Sequence, residues 1–233
     1  MDTDKMLLSG KVVLIPGASR PIGRAIANKF GVCGAKLVLP VFDWPDSISE
    51  MEEEFTGNDY DYFALPVDLR KKEEVVLLVD RIKKRFGHLD MLINNIERGG
   101  MPIVHGGYDL PHNTDQWDLE FDTTVKAKWL LFHHCSTLMA DRKGGAVVNI
   151  SSIAAKTGRS GPAAVFFNDG YSAANRAVSS FTETWARAVA PNIRVNELVI
   201  GLIRSRHGED TRGWQSLNSE EKKELRSTVL LGR

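Results

Sequence analysis

The sequence predicts an α/β fold, in which a doubly wound parallel sheet carries helices on both of its faces. Six short apolar runs alternate along the chain with longer amphipathic segments. Strands that are apolar throughout are typical of a parallel sheet buried on both sides, and the amphipathic segments supply the covering helices. Right-handed crossovers then give three layers, α/β/α. We expect a single domain over residues 1–233.

The predicted elements follow in a regular order. The strands are predicted at Val12–Ile15, Leu37–Val41, Tyr62–Val67, Met91–Ile93, Val147–Ile150 and Ile193–Val199. The helices are predicted at Ile22–Phe30, Ser47–Phe55, Glu73–Phe86, Asp115–Met139 and Tyr171–Val189. In the third helix, one apolar stripe repeats at helical spacing; it consists of Val75, Leu78, Val79 and Ile82. Ser47 and Glu50 have the spacing of a capping box at the start of the second helix.

The composition argues against several classes of function. Acidic and basic residues number 30 each, so no net field attracts nucleic acid or an anionic membrane. No apolar run approaches the ~18–20 residues of a membrane span, and the first residues lack the apolar core of a secretion signal. The six histidines show no ligand spacing, so we expect no metal site. Cys33 and Cys135 lie among apolar neighbours, and we expect buried thiols in a cytoplasmic protein.

A glycine-containing turn follows the first strand, at residues 16–23 (PGASRPIG). Ligands of a doubly wound sheet bind beyond the carboxyl ends of its strands. Glycines in such a turn let the backbone approach a pyrophosphate, which the helix N-terminus then stabilises. A tight turn with a purely structural role would explain the same residues equally well.

Polar residues also follow the next three strands. Asp43 could hold the ribose hydroxyls of an adenosine or be a solvated turn residue, whereas Arg20 is the nearby cation that could meet a 2′-phosphate. Asp68 is placed either to meet an adenine or to cap the next helix. The pair Asn94-Asn95 can tie backbone groups together beside a cofactor.

Ser152 and Tyr171 are the candidates for chemistry. The fifth strand delivers Ser151 and Ser152 to its end, and Tyr171 opens the next long helix. If both side chains face the same carbonyl or alcohol, the phenol can act as acid or base while the hydroxyl holds the substrate oxygen.

Nearly the whole chain resembles the short-chain dehydrogenase/reductase family. The matching segments are residues 10–27 (GKVVLIPGASRPIGRAIA), 87–95 (GHLDMLINN), 146–152 (AVVNISS), 171–174 (YSAA) and 193–205 (IRVNELVIGLIRS). The resemblance implies a Rossmann-like fold and hydride transfer between NAD or NADP and a small-molecule carbonyl or alcohol. It also implies a homodimer or homotetramer built through the two longest helices.

The resemblance assigns roles to individual residues. Ser152 matches the substrate-holding serine, Tyr171 the general acid/base, and Gly17 and Gly23 two of three fingerprint glycines. Arg20 gives NADP a slight preference over NAD. The implied cofactor contacts are Gly17, Ser19, Arg20, Ile22, Gly23, Asp43, Asp68, Asn94, Asn175, Gly201 and Ser205.

Two departures concern the catalytic group. Asn175 stands where the family has a lysine, whose charge lowers the pKa of the tyrosine from ~10 towards neutrality. Asparagine can still bond to a ribose but supplies no charge. Thr124 aligns with the helix asparagine of the proton relay. We therefore expect a deep loss of rate in both directions.

Other departures concern the cofactor and the end of the chain. Pro21 replaces the middle glycine, Ile96-Glu97 add bulk and charge, and the loop Gly158–Gly170 is longer than usual. An alternative prediction is therefore a non-catalytic relative that serves as a dinucleotide sensor or partner subunit. The family's last helix and strand would follow Arg233, and the resemblance favours a tail that this chain omits.

Overall fold

The computed structural model describes residues 7–97, 117–140, 144–158, 169–203 and 217–229. Within these ranges the strands are β1 (Val12–Leu14), β2 (Lys36–Val41), β3 (Tyr62–Pro66), β4 (Met91–Asn94), β5 (Gly145–Ser152) and β6 (Ile193–Ile200). The helices are α1 (Pro21–Val32), α2 (Pro45–Gly57), α3 (Lys72–Phe86), α4 (Ala127–Ala140), α5 (Ala154–Thr157), α6 (Asp169–Ala188) and α7 (Ser219–Ser227). A π-helical segment, Phe121–Lys126, leads into α4.

The strands form one six-stranded sheet in the order β3-β2-β1-β4-β5-β6. Neighbouring strands run parallel, with Val13 opposite Leu37 on one side of β1 and Leu14 opposite Leu92 on the other. The chain leaves β1 in one direction through β2 and β3, and returns on the other side through β4. This is the strand order of a doubly wound sheet, whose ligands bind where the order reverses. The predicted Rossmann-like α/β fold is confirmed.

The chain divides into two compact units. The first comprises Met1–Ile96, Lys126–Ile150 and Phe181–Glu197, and the second Glu97–Val125, Ser151–Ser180 and Leu198–Arg233. Most of the sheet and α1 to α4 belong to the first unit. The second contains the end of β5 and the first part of α6. That one domain spans residues 1–233 stays a prediction.

The core of the first unit is apolar and forms where the predicted stripe of α3 meets the sheet. Val75, Leu78 and Ile82 are buried almost completely, whereas their neighbour Leu77 is 58% exposed. Further packing comes from aromatic stacking, because the rings of Phe132 and Trp185 lie 4.0 Å apart and nearly parallel. Burial of such side chains stabilises a fold by roughly 25 cal/mol per Å² of apolar surface.

The start of α2 differs from the prediction. The helix begins at Pro45, and its N-cap is Trp44, whose side chain makes no capping hydrogen bond. Proline suits the first helical position, because its φ is preset and its missing N–H would have no partner there. Ser47 therefore lies inside the first turn, and the predicted capping box is wrong. A capping box does occur in α7, where Asn218 and Glu221 bond each other's backbone N–H groups.

Both cysteines are buried free thiols. Burial raises the pKa of the Cys135 thiol to about 12, so this side chain is a poor nucleophile. No group of three possible metal ligands occurs among the residues that the structure describes. None of the helices in these ranges has the length and apolar character needed to cross a membrane.

Replacing Leu78 with alanine should lower the free energy of unfolding by about 2–5 kcal/mol, because it leaves a cavity in the core of the first unit. Leu77→Ala is the matched control on the next position of the same helix, and should change the unfolding free energy by less than about 0.5 kcal/mol. Denaturant-induced unfolding measures both values. Equal losses in the two variants would contradict the burial of this stripe.

Candidate active site

Ser152 and Tyr171 are brought together in the second unit, as the sequence predicts. Both are largely buried, at 5% and 7% exposure. The Ser152 Oγ accepts a hydrogen bond from the Ala154 N–H at 3.2 Å, which leaves its own hydroxyl hydrogen able to donate. The hydroxyl groups of Ser152 and Tyr171 are hydrogen-bonded to each other. A substrate oxygen at this point would meet a serine and a phenol at once.

The surroundings of Tyr171 keep its phenol protonated. Burial raises the pKa of Tyr171 well above 10.0, and the negative charge of Glu97 and the phenol's hydrogen bond to that carboxylate raise it further. Ser152 acts in the opposite direction through its hydrogen bond, while the charge of Glu120 adds to the increase. The side chain is therefore an acid at neutral pH and not a phenolate base.

Asn175 lies one helical turn after Tyr171 and is fully buried. Its Nδ2 group donates to the Tyr171 carbonyl and to Glu97 Oε1, each at 3.1 Å. Its Oδ1 atom is buried without a hydrogen-bond partner among the described residues. The amide is neutral, so it adds no positive charge beside the phenol.

Thr124 is buried in the π-helical segment before α4. Its Oγ1 donates to Glu120 Oε1 at 2.5 Å, and Glu120 is itself completely buried. Single π turns interrupt helices frequently at functional sites. Thr124, which the family resemblance matches to a relay asparagine, thus donates to a carboxylate.

Two acidic residues near Tyr171 were missed as site residues. From the sequence, Glu97 is identified only as an added charge. Its position just after the pair Asn94-Asn95 is the feature that could have identified it as a site residue. Glu120 carried a signal in its spacing, because it lies four residues before Thr124 on the same helical segment. Neither position shows from the sequence alone that its carboxylate acts on a tyrosine.

The glycine turn belongs to the first unit and is packed closely against Asn95. A Cβ atom on Gly17, whose φ is +72°, would lie 2.9 Å from the Asn95 carbonyl oxygen. A Cβ on Gly23 would lie 2.1 Å from the Gly17 oxygen. Both positions therefore require glycine for the turn to close on α1.

The N-terminus of α1 suits an anion. Its N-cap, Arg20, makes no capping hydrogen bond with its side chain, and Pro21 follows at the first helical position. The Ile22 and Gly23 N–H groups are therefore left uncapped by the Arg20 side chain, and a phosphate could accept from them. Pro21 removes one donor from this set. Ser19 is buried, and its carbonyl accepts from Arg24 Nη2 at 2.9 Å.

Arg20 and Asp43 lie at the carboxyl-terminal side of β1 and β2. The Arg20 guanidinium lies 4.4 Å from the centre of the Trp44 ring, and its Nη1 is 3.5 Å from Ser47 Oγ. Asp43 is exposed. A cation stacked on an indole is held in place without losing its charge.

Asp68 is engaged by Arg70. The carboxylate accepts from Arg70 Nε at 2.8 Å and Nη2 at 2.9 Å, and the hydrogen bond from Arg70 is the main cause of its lowered pKa. The N-cap of α3 is Lys71, and its side chain makes no capping hydrogen bond. The prediction that Asp68 caps the next helix is therefore wrong. A contact between Asp68 and an adenine stays a prediction.

Asn94 belongs to a buried polar network in the first unit. Its Nδ2 donates to Asn149 Oδ1 at 3.1 Å and to the Lys128 carbonyl at 3.3 Å. Asn95 Nδ2 donates to the Pro16 carbonyl at 3.3 Å, so this pair does tie backbone groups together. Lys128 is completely buried and donates to the Ile150 carbonyl at 2.7 Å, which the sequence did not indicate.

The remaining predicted cofactor contacts follow β6. Gly201 is exposed directly after this strand. Ser205 lies outside the residues that the structure describes.

The family model for short chain dehydrogenases matches residues 11–216. The chain belongs to this family. It is 28% identical to a 3-oxoacyl-[acyl-carrier-protein] reductase of Synechocystis, over 84% of this chain and 75% of that protein. It is 29% identical to an NAD-dependent glycerol dehydrogenase of Listeria innocua, over 94% of this chain and 80% of that protein. The crystal structure of a putative short-chain dehydrogenase/reductase from Burkholderia xenovorans matches with a TM-score of 0.79 and 25% identity, covering 95% of this chain and 82% of that one.

Tyr171 should stay protonated when ordinary tyrosines ionise. An alkaline titration of tyrosinate absorbance, compared between the wild type and Tyr171→Phe, isolates its contribution. We expect no tyrosinate signal from Tyr171 near pH 10, because burial and two carboxylates oppose the phenolate. Since the folded pKa is raised above the unfolded value, Tyr171 stabilises the fold below about pH 10, and this contribution is lost as the pH rises further. A rise in tyrosinate absorbance that is due to Tyr171 and occurs below pH 10 would contradict the burial and the carboxylate neighbours described for this side chain.

Proposed function

We propose that the protein is an NAD(P)-dependent oxidoreductase that acts on the carbonyl or alcohol group of a small molecule. The proposal rests on the hydrogen-bonded pair Ser152 and Tyr171, in which the phenol is a protonated acid. The nicotinamide cofactor would supply or accept the hydride when bound. Ser152 would hold the substrate oxygen, and Tyr171 would give that oxygen a proton during reduction.

The raised pKa of Tyr171 favours reduction over oxidation. A phenol whose pKa lies three units above the working pH is only about 0.1% phenolate, which opposes base catalysis by about 4 kcal/mol. Reduction uses the protonated form, which is the form that burial and the neighbouring carboxylates favour. We therefore expect carbonyl reduction to be the faster direction, at a rate below that of a site with a lysine at position 175.

Each unit, taken by itself, offers groups that suit one part of a dinucleotide. In the first unit, the Ile22 and Gly23 N–H groups suit a phosphate, and Arg20 offers a positive charge for a 2′-phosphate. In the second, the unpartnered Oδ1 of buried Asn175 could accept from a ribose hydroxyl. We propose a slight preference for NADP because of Arg20. The exposed Asp43 supports NAD instead, and one relative carries NAD in its name.

A non-catalytic role as a dinucleotide sensor or partner subunit is the second candidate. The observation that favours it is the negative charge beside Tyr171, where the neutral Asn175 amide donates to the Glu97 carboxylate. Loss of a donor at Pro21 would also weaken the hold on a phosphate. This role predicts dinucleotide binding without turnover.

The substrate, the assembly and the location are proposed only in general terms. Two relatives are named for an acyl-carrier-linked ketone and for glycerol, so the shared property is a carbonyl or its alcohol. We propose a homodimer or homotetramer through the two long helices, and the half-exposed Trp129 on α4 supports such a contact. Buried thiols support a reducing, cytoplasmic location.

Arg20→Gln should weaken NADPH binding about 10- to 100-fold, because it removes a charge-assisted bond to the 2′-phosphate worth roughly 1.5–3 kcal/mol. The affinity for NADH should change much less. Calorimetric titration of both cofactors measures this, and Arg187→Gln, at an exposed position of α6, is the matched control. An equal loss for both cofactors would refute the assigned preference.

Tyr171→Phe should reduce carbonyl reduction at least about 100-fold, because the variant lacks the acid that protonates the substrate oxygen. Cofactor oxidation over a panel of ketones and aldehydes measures the rate, and calorimetry checks that NADPH still binds. Activity that survives this change would remove Tyr171 as the acid. Binding of NADPH or NADH by a wild type that turns over no compound of the panel would favour the sensor role.

A further inference from the structure

A carboxylate contacts the proposed catalytic acid. Glu97 accepts a hydrogen bond from the Tyr171 phenol, and its Oε1 accepts another from Asn175 Nδ2 at 3.1 Å.

Asn175 holds that carboxylate in place. Its two Nδ2 hydrogens serve the Tyr171 carbonyl and Glu97 Oε1, both at 3.1 Å, and the amide is fully buried. An amide that donates to a backbone carbonyl of its own helix cannot swing away without losing that bond. The neutral Asn175 amide therefore orients the negative Glu97 carboxylate towards the Tyr171 phenol.

We propose that Glu97 is the group that exchanges the proton of Tyr171 with solvent, and that Asn175 holds Glu97 in position for this transfer. The inference rests on the proposed oxidoreductase function. Glu97 is suited to the task because it is only partly buried, whereas Tyr171 is 7% exposed. Asn175 is a positioning residue in this scheme.

The transfer balances in both directions. In oxidation, the alcohol O–H breaks and its proton moves to Tyr171 Oη, while the Tyr171 O–H breaks and its proton moves to the Glu97 carboxylate. With a nicotinamide cofactor bound, the carbinol carbon would give up its hydride to the oxidised form and become a carbonyl. In reduction, protonated Glu97 gives its proton to Tyr171 as Tyr171 protonates the substrate oxygen, and the hydride would come from the bound cofactor in its reduced form.

This relay avoids a free phenolate. Tyr171 receives one proton as it releases another, so the cost of forming a phenolate, which opposes oxidation, is reduced. Glu120 also bears on Tyr171, but through its charge, and its carboxylate accepts from Thr124 at 2.5 Å. It is completely buried, which makes it unsuited to exchange with water. Glu97 and Glu120 are the charged groups that act on Tyr171 within the described part of the chain.

Glu97→Gln tests the proposal, because the amide keeps the size of the side chain but cannot carry the proton. We expect carbonyl reduction to fall about 10²- to 10⁴-fold in kcat, with NADPH affinity nearly unchanged. The pH dependence of kcat should differ between the wild type and this variant, because the variant lacks the carboxylate that carries the proton. Glu97→Asp should restore part of the rate, and Glu183→Gln, at an exposed position of the same helix as Tyr171, should leave it unchanged.

A second measurement needs no turnover. In the protein without cofactor, Glu97→Gln should bring the tyrosinate titration of Tyr171 to lower pH, since a negative neighbour has been removed. An unchanged titration would overturn the contact itself. An unchanged kcat and pH profile in Glu97→Gln, with Tyr171 still required, would overturn the relay and leave the oxidoreductase function standing. A faster Glu97→Gln enzyme would show that the carboxylate obstructs the site, and would overturn the relay too. If wild type and Tyr171→Phe are both inactive, the proposed function fails and the relay fails with it.

Discussion

Burial of the Tyr171 phenol, together with its contact with the Glu97 carboxylate, keeps this side chain protonated. A phenol in water loses its proton near pH 10, and a neighbouring cation would lower that value. Here the neighbours are a neutral amide and two carboxylates, all within a buried setting. Every proposed role of Tyr171 follows from this: it is a strong candidate for an acid and a poor one for a free base.

In the first unit, the structure depends instead on buried polar side chains against which the backbone packs closely. Asn94 and Asn149 are completely buried, and their amides bond each other and the Lys128 carbonyl. Asn149 also donates to Thr182 Oγ1 at 2.8 Å. Hydrogen bonds between buried polar groups favour the arrangement in which they are made, so these bonds connect β4 and β5 to α4 at Lys128 and to α6 at Thr182. The glycine turn then closes on Asn95 with no room for a side chain.

The fold could be predicted because its signal is repeated along the chain. Each strand is a run of apolar residues, and the stripe of α3 recurs at helical spacing, so the errors fall at element ends. The second helix begins at Pro45, before the predicted start at Ser47, because proline at the first helical position outweighed the apparent capping box. The π-helical segment before α4 could not be predicted from the sequence. A π-helix differs from an α-helix in its backbone hydrogen bonds, and the residue types of this segment do not indicate that difference.

The candidate site was only partly predictable. Ser152 and Tyr171 were identified by their places at a strand end and a helix start. The contact between Asn175 and Glu97 joins residues 78 positions apart, and no local pattern specifies it. Asp68 and Arg70 show the same limit, because sequence order does not reveal which partner a carboxylate will choose.

The backbone at Asp43 and Trp44 is left-handed, with φ values of +55° and +58°. Non-glycine residues adopt this conformation at a cost of roughly 1–2 kcal/mol each, and glycine would occupy it without that strain. Glycine at position 44 would, however, remove the indole on which Arg20 rests. The strained backbone of the loop between β2 and α2 therefore lowers local stability, but it places the Trp44 indole against the Arg20 guanidinium.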